Sequence, residues 1–122
     1  MFQAMLREVV EGTDGAIAGL LMGFDGITVD SYTRDEGSLG IEGLEALGSE
    51  YSQILGQIKQ AVAALELGEA REVAVSAENM TTVIRLLNES YFIALAMAPT
   101  GNLGKGRYLL RVNAHKLVES LT

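Results

Sequence analysis

A change of hydrophobic period in the middle of the chain constrains the fold more than any other feature. From Ile41 to Leu67, apolar residues recur every three or four positions, which is typical of one face of an α-helix. The segments on either side contain short apolar runs separated by turn residues, which is typical of strands. A long helix between two groups of strands predicts an α+β fold. The helical stripe consists of Leu44, Leu47, Tyr51, Ile54, Ile58, Ala61 and Leu65, widened by Ile41, Leu55 and Val62.

Two strands are predicted before the long helix. The run Ala16–Phe24 is nearly continuous in apolar residues and predicts a central strand. Asp25-Gly26 follows it, and this pair favours a two-residue type I′ turn because both positions need a positive φ. The segment Ile27–Tyr32 then returns as the second strand. A short amphipathic helix over residues 2–11, ending at Gly12, precedes both strands.

Three strands and a final helix are predicted after the long helix, which Gly68 is expected to end. The strand candidates are separated by turn formers, and a helical spacing of apolar residues resumes beyond Pro99. The predicted order is therefore α-β-β-α-β-β-β-α, with a five-stranded antiparallel sheet covered by helices in a single domain over residues 1–122. The strand candidates are Arg71–Ala77, Thr81–Leu87 and Tyr91–Ala98, and the final helix begins near Leu103.

The long helix contains three glycines, Gly43, Gly48 and Gly56. Glycine inside a helix costs about 1 kcal/mol relative to alanine, so these positions call for a packing explanation. In one interpretation, the wide apolar stripe lies only on the sheet of its own chain. In the other, which we favour, one edge of the stripe also packs against a second copy of the helix.

Charge and composition exclude several classes of function. The net charge of −7 disfavours binding to nucleic acid and to anionic membranes, because both present phosphate groups. The absence of cysteine excludes a disulfide scaffold and a thiol nucleophile. No apolar stretch reaches the length of roughly 18 residues that a membrane span requires. We therefore expect a cytoplasmic protein.

The residues that carry catalytic chemistry form no recognisable pattern. His115 is the only histidine, and a zinc site would need several ligands with regular spacing. The aspartates at positions 14, 25, 30 and 35 fall at predicted turns or strand ends, where their side chains bond the backbone. No Gly-x-Ser-x-Gly motif is present. We expect no catalytic residue, no metal and no cofactor.

The segment Gly101–Arg107 superficially resembles a phosphate-binding loop, because it follows a strand and opens a helix. It is not a Walker motif, since Pro99 stands where the first glycine is required and Gly106 stands where Ser or Thr is required. Lys105 and Arg107 could instead meet an acidic group of a partner protein at the start of the helix.

Two stretches, considered with the element order, resemble the roadblock/dynein light chain family. One is the strand pair Gly15–Ile27, in which an apolar strand is followed by an Asp-Gly turn and a second strand. The other is the loop Gly101-Asn102-Leu103-Gly104, which is similar to the family's Asn-Leu-Gly segment. The resemblance covers essentially the whole chain and implies a profilin-like fold.

The resemblance also implies a dimer, with itself or with a paralogous roadblock chain. In the family, the long helices of two subunits pack side by side and two sheets pair edge to edge. In this sequence, the long helix and the strand Arg71–Ala77 would form the interface. The expected interface residues are Leu44, Leu47, Tyr51, Ile54, Leu55, Ile58, Arg71, Val73 and Val75.

Three functions follow from these observations and from the resemblance. The first is a non-catalytic regulator or scaffold that binds a Ras-like small GTPase, as bacterial family members do. Arg34, in a predicted loop, is the arginine best placed to reach across such an interface. The second is an adaptor subunit of a motor or signalling complex, with binding independent of nucleotide. The third is a small-molecule-binding or enzymatic domain, which would need a polar pocket that the sequence does not indicate.

Overall fold

The computed structural model describes residues 2–34 and 40–121, and its eight elements follow the predicted order. The predicted α+β fold, with a five-stranded antiparallel sheet, is confirmed. The helices are α1 (Gln3–Glu11), α2 (Gly40–Ala64) and α3 (Leu103–Leu121). The strands are β1 (Ala16–Gly23), β2 (Thr28–Thr33), β3 (Glu72–Ser76), β4 (Thr81–Leu86) and β5 (Tyr91–Met97).

The sheet has the strand order β2-β1-β5-β4-β3, with every neighbouring pair antiparallel. The two strands that are richest in apolar residues, β1 and β5, lie next to each other at the centre. A central strand is buried on both faces, so it needs apolar residues at successive positions instead of an alternating pattern. The strands β2 and β3 form the two edges.

Each face of the sheet carries its own hydrophobic core. On one face, α1 and α3 pack through Leu6, Val10, Leu110 and Leu117 against residues such as Leu21. On the other face, α2 packs against a second set, which includes Leu20, Met22, Phe92 and Ala94. The sheet therefore separates α2 from α3, and this separation determines which surfaces are free to act independently.

The turn between β1 and β2 differs from the prediction. The N–H of Gly26 donates a hydrogen bond to the carbonyl of Gly23, and the N–H of Gly23 donates to the carbonyl of Ile27. Gly26 has a φ of 87°, whereas Asp25 is not among the described residues with positive φ. The loop thus has three residues, Phe24 to Gly26, with the glycine supplying the left-handed position, and the predicted two-residue type I′ turn is wrong. The Asp25 side chain instead accepts a hydrogen bond from the N–H of Ile27.

The end of α2 also differs from the prediction that Gly68 ends the helix. Glu66 adopts the left-handed conformation with a φ of 58°. The N–H of Leu67 donates to the carbonyl of Val62, and the N–H of Glu66 donates to the carbonyl of Ala63. This pair of hydrogen bonds is a Schellman motif, which normally places glycine where Glu66 stands. The helix therefore ends at Ala64, and Leu65 and Leu67 lie beyond its last turn.

A hydrogen bond between α1 and β2 makes the protein's stability depend on pH. The Tyr32 hydroxyl donates to the Glu11 carboxylate, and this bond is the main cause that holds the pKa of Glu11 below its ordinary value of 4.5. A carboxyl whose pKa is lower in the folded state contributes stability at higher pH, and the contribution disappears as the pH falls through the folded pKa.

We therefore predict that Tyr32→Phe removes part of the acid sensitivity of folding. The free energy of unfolding should fall less for Tyr32→Phe than for the natural protein between about pH 6 and about pH 3. Urea titrations at several pH values measure this difference, and NMR titration should show the pKa of Glu11 returning towards 4.5. Identical pH profiles for the two proteins would contradict the assignment.

Candidate functional site

The apolar stripe of α2 is divided between a buried line and an open line. Leu44 and Leu55 are 0% and 1% exposed, because they pack against the sheet of their own chain. Along the adjoining line, Ile54 is 47% exposed and Ile58 is half-buried. Leu44 and Leu55, two of the predicted interface residues, therefore pack in the core of their own chain and have almost no exposed surface there. The residues of the open line of α2 are Leu47, Tyr51, Ile54, Ile58 and Ala61, and Leu65 continues the line just beyond the end of the helix.

Two of the helix glycines have different surroundings. A Cβ added to Gly48 would lie 2.4 Å from Leu20 Cδ2 and 2.8 Å from Met22 Sδ, so Gly48 allows α2 to approach β1 closely. A Cβ added to Gly56 would meet no heavy atom within 4 Å. Packing against the sheet of the same chain therefore explains why position 48 is a glycine. Gly56, in contrast, borders open space next to the open line of α2.

The strand β3 lies at an edge of the sheet, as expected for an interface strand. It pairs with β4 only, and its Val73 and Val75 are half-buried. The register places both valines opposite Ile84 and Thr82, and Ile84 belongs to the core beneath α2. An edge strand presents unpaired N–H and C=O groups that another strand can bind. The open line of α2 and the edge of β3 are thus the two parts of a candidate interaction surface.

A groove of about 500 Å³ lies beside the C-terminal end of α2. It is lined by the last turns of α2, by residues 68–71 before β3, and by the turn between β4 and β5. Lys59 stands at this groove: its Nζ donates to the carbonyl of Glu89 at 3.2 Å and lies 3.8 Å from the centre of the Phe24 ring. Arg71, a predicted interface residue, also lines the groove and is exposed.

The three basic residues that the sequence suggested for partner binding have different environments. Arg34 is exposed, but its guanidinium donates to the carbonyls of Val10, in the last turn of α1, and of Thr13, just after it, at 2.6 and 3.4 Å. Arg107 forms an ion pair with Glu72 at 2.8 Å, which ties α3 to β3. Lys105 is exposed at the start of α3, where its N–H is capped by the Asn102 side chain. The structure therefore does not bring the three side chains together.

The two sequence stretches that carry the family resemblance contact each other. The N–H of Asn102 donates to the carbonyl of Asp14, and the N–H of Ala98 donates to the carbonyl of Gly15, both at 2.8 Å. A Cβ added to Gly15 would lie 2.5 Å from Gly101 Cα. These glycines allow the turn before β1 and the turn before α3 to pack backbone against backbone.

Sequence reasoning missed Lys59 as part of the groove, and it missed the exposure of Leu67 beyond the end of α2. Lys59 was one charge within a helix, and nothing local indicated that Phe24 and Glu89 would lie beside it. The sequence predicts Leu67 as the last residue of the long helix, whereas Leu67 lies beyond the helix end and is 69% exposed. Its exposure follows from the Schellman motif, whose only sequence signal would have been a glycine at position 66.

Neither a metal site nor a membrane span is found in the part of the chain that the structure describes. No group of three or more His, Cys, Asp or Glu residues in it could hold a metal ion. None of its helices combines the length and the apolar character needed to cross a bilayer.

Comparisons with known proteins give matches among solved structures only. No protein-family model matches the chain, and no curated protein sequence matches it. It is 42% identical to MglC from Myxococcus xanthus over 98% of both chains, with a TM-score of 0.69. It is 12% identical to a Roadblock/LC7 domain from Streptomyces avermitilis, which covers 98% of this chain and 96% of that one with a TM-score of 0.84.

A further match is the gliding protein MglB from Thermus thermophilus. It is 18% identical, covers 95% of this chain and 84% of that one, and has a TM-score of 0.83. The two matches of low identity show the shared fold, and the similarity to MglC extends to the sequence itself over nearly the full chain. The chain therefore belongs to the roadblock/LC7 family.

Proposed function

We propose that this protein is a non-catalytic, dimeric, cytoplasmic regulator or scaffold that binds a Ras-like small GTPase. The observation that carries the proposal is the open apolar line of α2, together with the unpaired edge of the strand β3. Exposed large apolar side chains at helical spacing indicate a protein-binding surface. Family membership and the similarity to MglC and to the gliding protein MglB support a role in small-GTPase regulation.

The proposed dimer forms through α2 and β3. Two copies related by a twofold axis would place the same line of each α2 against the other and pair the two β3 edges. The residues we assign to this interface are Leu47, Tyr51, Ile54, Ile58, Arg71, Val73 and Val75. Burying the apolar line would remove exposed apolar surface from water, and pairing would satisfy the free backbone groups of β3.

The proposed GTPase contact needs no catalytic residue from this chain. Arg34 is held by the carbonyls of Val10 and Thr13, and Arg107 by the Glu72 carboxylate, so neither is presented as a free guanidinium. We therefore propose that any effect on hydrolysis arises because the dimer positions residues of the GTPase itself. The groove beside Lys59 and Arg71 offers cations to acidic groups of the partner.

The test is binding to a Ras-like GTPase from the same organism, measured by calorimetry with the GTPase loaded with GDP or with a non-hydrolysable GTP analogue. We expect a complex whose affinity differs at least about tenfold between the two nucleotide states, since a regulator must distinguish them. Equal affinity for both states would favour the alternative, an adaptor subunit with nucleotide-independent binding. No complex with any such GTPase would contradict the proposal.

A further inference from the structure

The outer face of α3 differs in charge from the rest of the molecule. Four of the nine Lys and Arg residues lie in α3, but only one of the sixteen acidic residues does. With His115 neutral, the helix therefore carries a net charge of +3 and the remainder of the chain −10. A local excess of positive charge on an acidic protein selects for partners of opposite charge.

The basic side chains surround an exposed aromatic ring. Tyr108 is 49% exposed, and Val112, one helical turn further on, is 40% exposed. The Lys105 Nζ lies 5.9 Å and the Arg111 Cζ 5.7 Å from the centre of the Tyr108 ring. With Lys116, these residues form what we call the α3 face: Lys105, Tyr108, Arg111, Val112 and Lys116. It extends for about 16 Å along the helix.

The cations of the α3 face are not neutralised within the described part of the chain. Lys105, Arg111 and Lys116 form no ion pair there, whereas Arg107, on the side of α3 towards β3, pairs with Glu72. A half-exposed tyrosine with unpaired cations at its rim has the composition of a protein-binding hot spot, in which Tyr and Arg are enriched.

We propose that the α3 face is a second docking surface, for an acidic segment of a partner protein that also carries an aliphatic side chain. The acidic groups would pair with Lys105, Arg111 and Lys116, and the aliphatic group would pack on Tyr108 and Val112. This inference goes beyond the proposed function. The sheet separates α3 from α2, so an α2-mediated dimer would leave the α3 face open and could join a second partner to the first.

Nucleic acid and membrane fit this face less well than an acidic protein segment. Duplex DNA presents one charge per roughly 1.7 Å of its axis, so its phosphates would also meet the acidic surface around the face. An interfacial helix inserts its apolar side into the bilayer, but the apolar side of α3, with Leu110 and Leu117, is buried against the sheet. An acidic segment about as long as the face avoids both penalties.

The test uses a fluorescein-labelled peptide of about 15 residues, built from Glu and Leu with helical spacing, and measures anisotropy at low salt. We expect binding that weakens as salt is added, with NMR shift changes centred on Tyr108 and Arg111. Tyr108→Ala should weaken binding at least about tenfold, and Arg111→Gln about threefold or more. A peptide with Lys in place of Glu should not bind.

Arg7→Gln is the matched control, because Arg7 is an exposed helical arginine on the same side of the sheet and its loss changes the net charge equally. It should leave peptide binding within about twofold of the natural protein. The proposal is overturned if Arg7→Gln weakens binding as much as Arg111→Gln, or if the shift changes fall on α2 or its groove. The proposal would also be overturned if the protein bound duplex DNA or phosphatidylserine vesicles more tightly than it binds the acidic peptide. The assay contains no GTPase, so its failure leaves the proposed function untouched.

Discussion

Replacement of Ile54 by glutamate is expected to convert the protein from a dimer to a folded monomer. Ile54 lies at the middle of the open line of α2 and is 47% exposed in the single chain, so a charged side chain there remains hydrated in the monomer. In the proposed dimer, two such carboxylates would be removed from water without a partner, which costs several kcal/mol. The twofold symmetry places the substitution in both subunits at once. We therefore expect the dimer dissociation constant to rise at least about 100-fold.

Light scattering across a dilution series measures this effect, and Gln53→Glu provides the matched control. Gln53 is exposed on the polar side of the same helix, so the Gln53→Glu substitution adds the same charge outside the proposed interface. Ile54 is a cleaner site than Tyr51, because Tyr51 packs against the core under α2 and its replacement would also disturb folding. A dimer that survives Ile54→Glu, or that Gln53→Glu dissociates equally, would show that the interface lies elsewhere.

The same variant should lose GTPase binding if the partner contacts both subunits. Retained binding by a monomeric Ile54→Glu protein would show that one subunit suffices. This result would separate the dimer from the GTPase contact within the proposed function.

Replacement of Gly15 by alanine is expected to cause a large loss of stability. Gly15 has a φ of 85°, a conformation that costs a residue with a Cβ roughly 1–2 kcal/mol. The new Cβ would also lie 2.5 Å from Gly101 Cα, and a backbone atom cannot move aside as a flexible side chain can. Separating the two turns would strain the hydrogen bonds that Asp14 and Gly15 accept from Asn102 and Ala98. Overpacking of this kind adds about 1–3 kcal/mol, so we expect a total loss of about 2–5 kcal/mol.

Urea unfolding at equal protein concentration measures this loss, because dimerisation would otherwise change the apparent stability. Gly104→Ala is the control: it lies in the same sequence motif as Gly101, but its added Cβ meets only the Asn102 Oδ1 at an ordinary 3.7 Å. Alanine is also the better helix former, so Gly104→Ala should be neutral or gain up to about 1 kcal/mol. A Gly15→Ala protein as stable as the natural one would show that the two turns can separate without cost.

The order of the elements could be predicted because each one depends on a local period. A helix of 25 residues and strands of five to eight residues repeat their pattern often enough to be recognised without tertiary contacts. The two wrong predictions, the turn between β1 and β2 and the end of α2, concern places where the backbone conformation of a single residue decides the local structure. Asp25 and Gly26 were assigned a two-residue turn, and Glu66 occupies a position that normally requires glycine.

The functional surface could be predicted only in part, because the same apolar stripe serves two purposes. Leu44 and Ile54 both belong to the stripe in sequence, yet one is enclosed in the core and the other is open. The helical period shows that a residue lies on the apolar side, but the exact rotation of the helix on its sheet decides which edge is buried. That rotation depends on close contacts such as Gly48 with Leu20.

The sequence by itself determined the element order, the acidic character of the chain and the family resemblance, because these depend on residue type and short spacing. The tertiary structure alone decided how distant residues meet. Gly15 and Gly101 are in contact, Lys59 reaches Glu89 and Phe24, and Arg34 binds carbonyls at the C-terminal end of α1. The strand order β2-β1-β5-β4-β3 brings these partners together, and no local pattern encodes it, because it arises from packing the whole sheet at once.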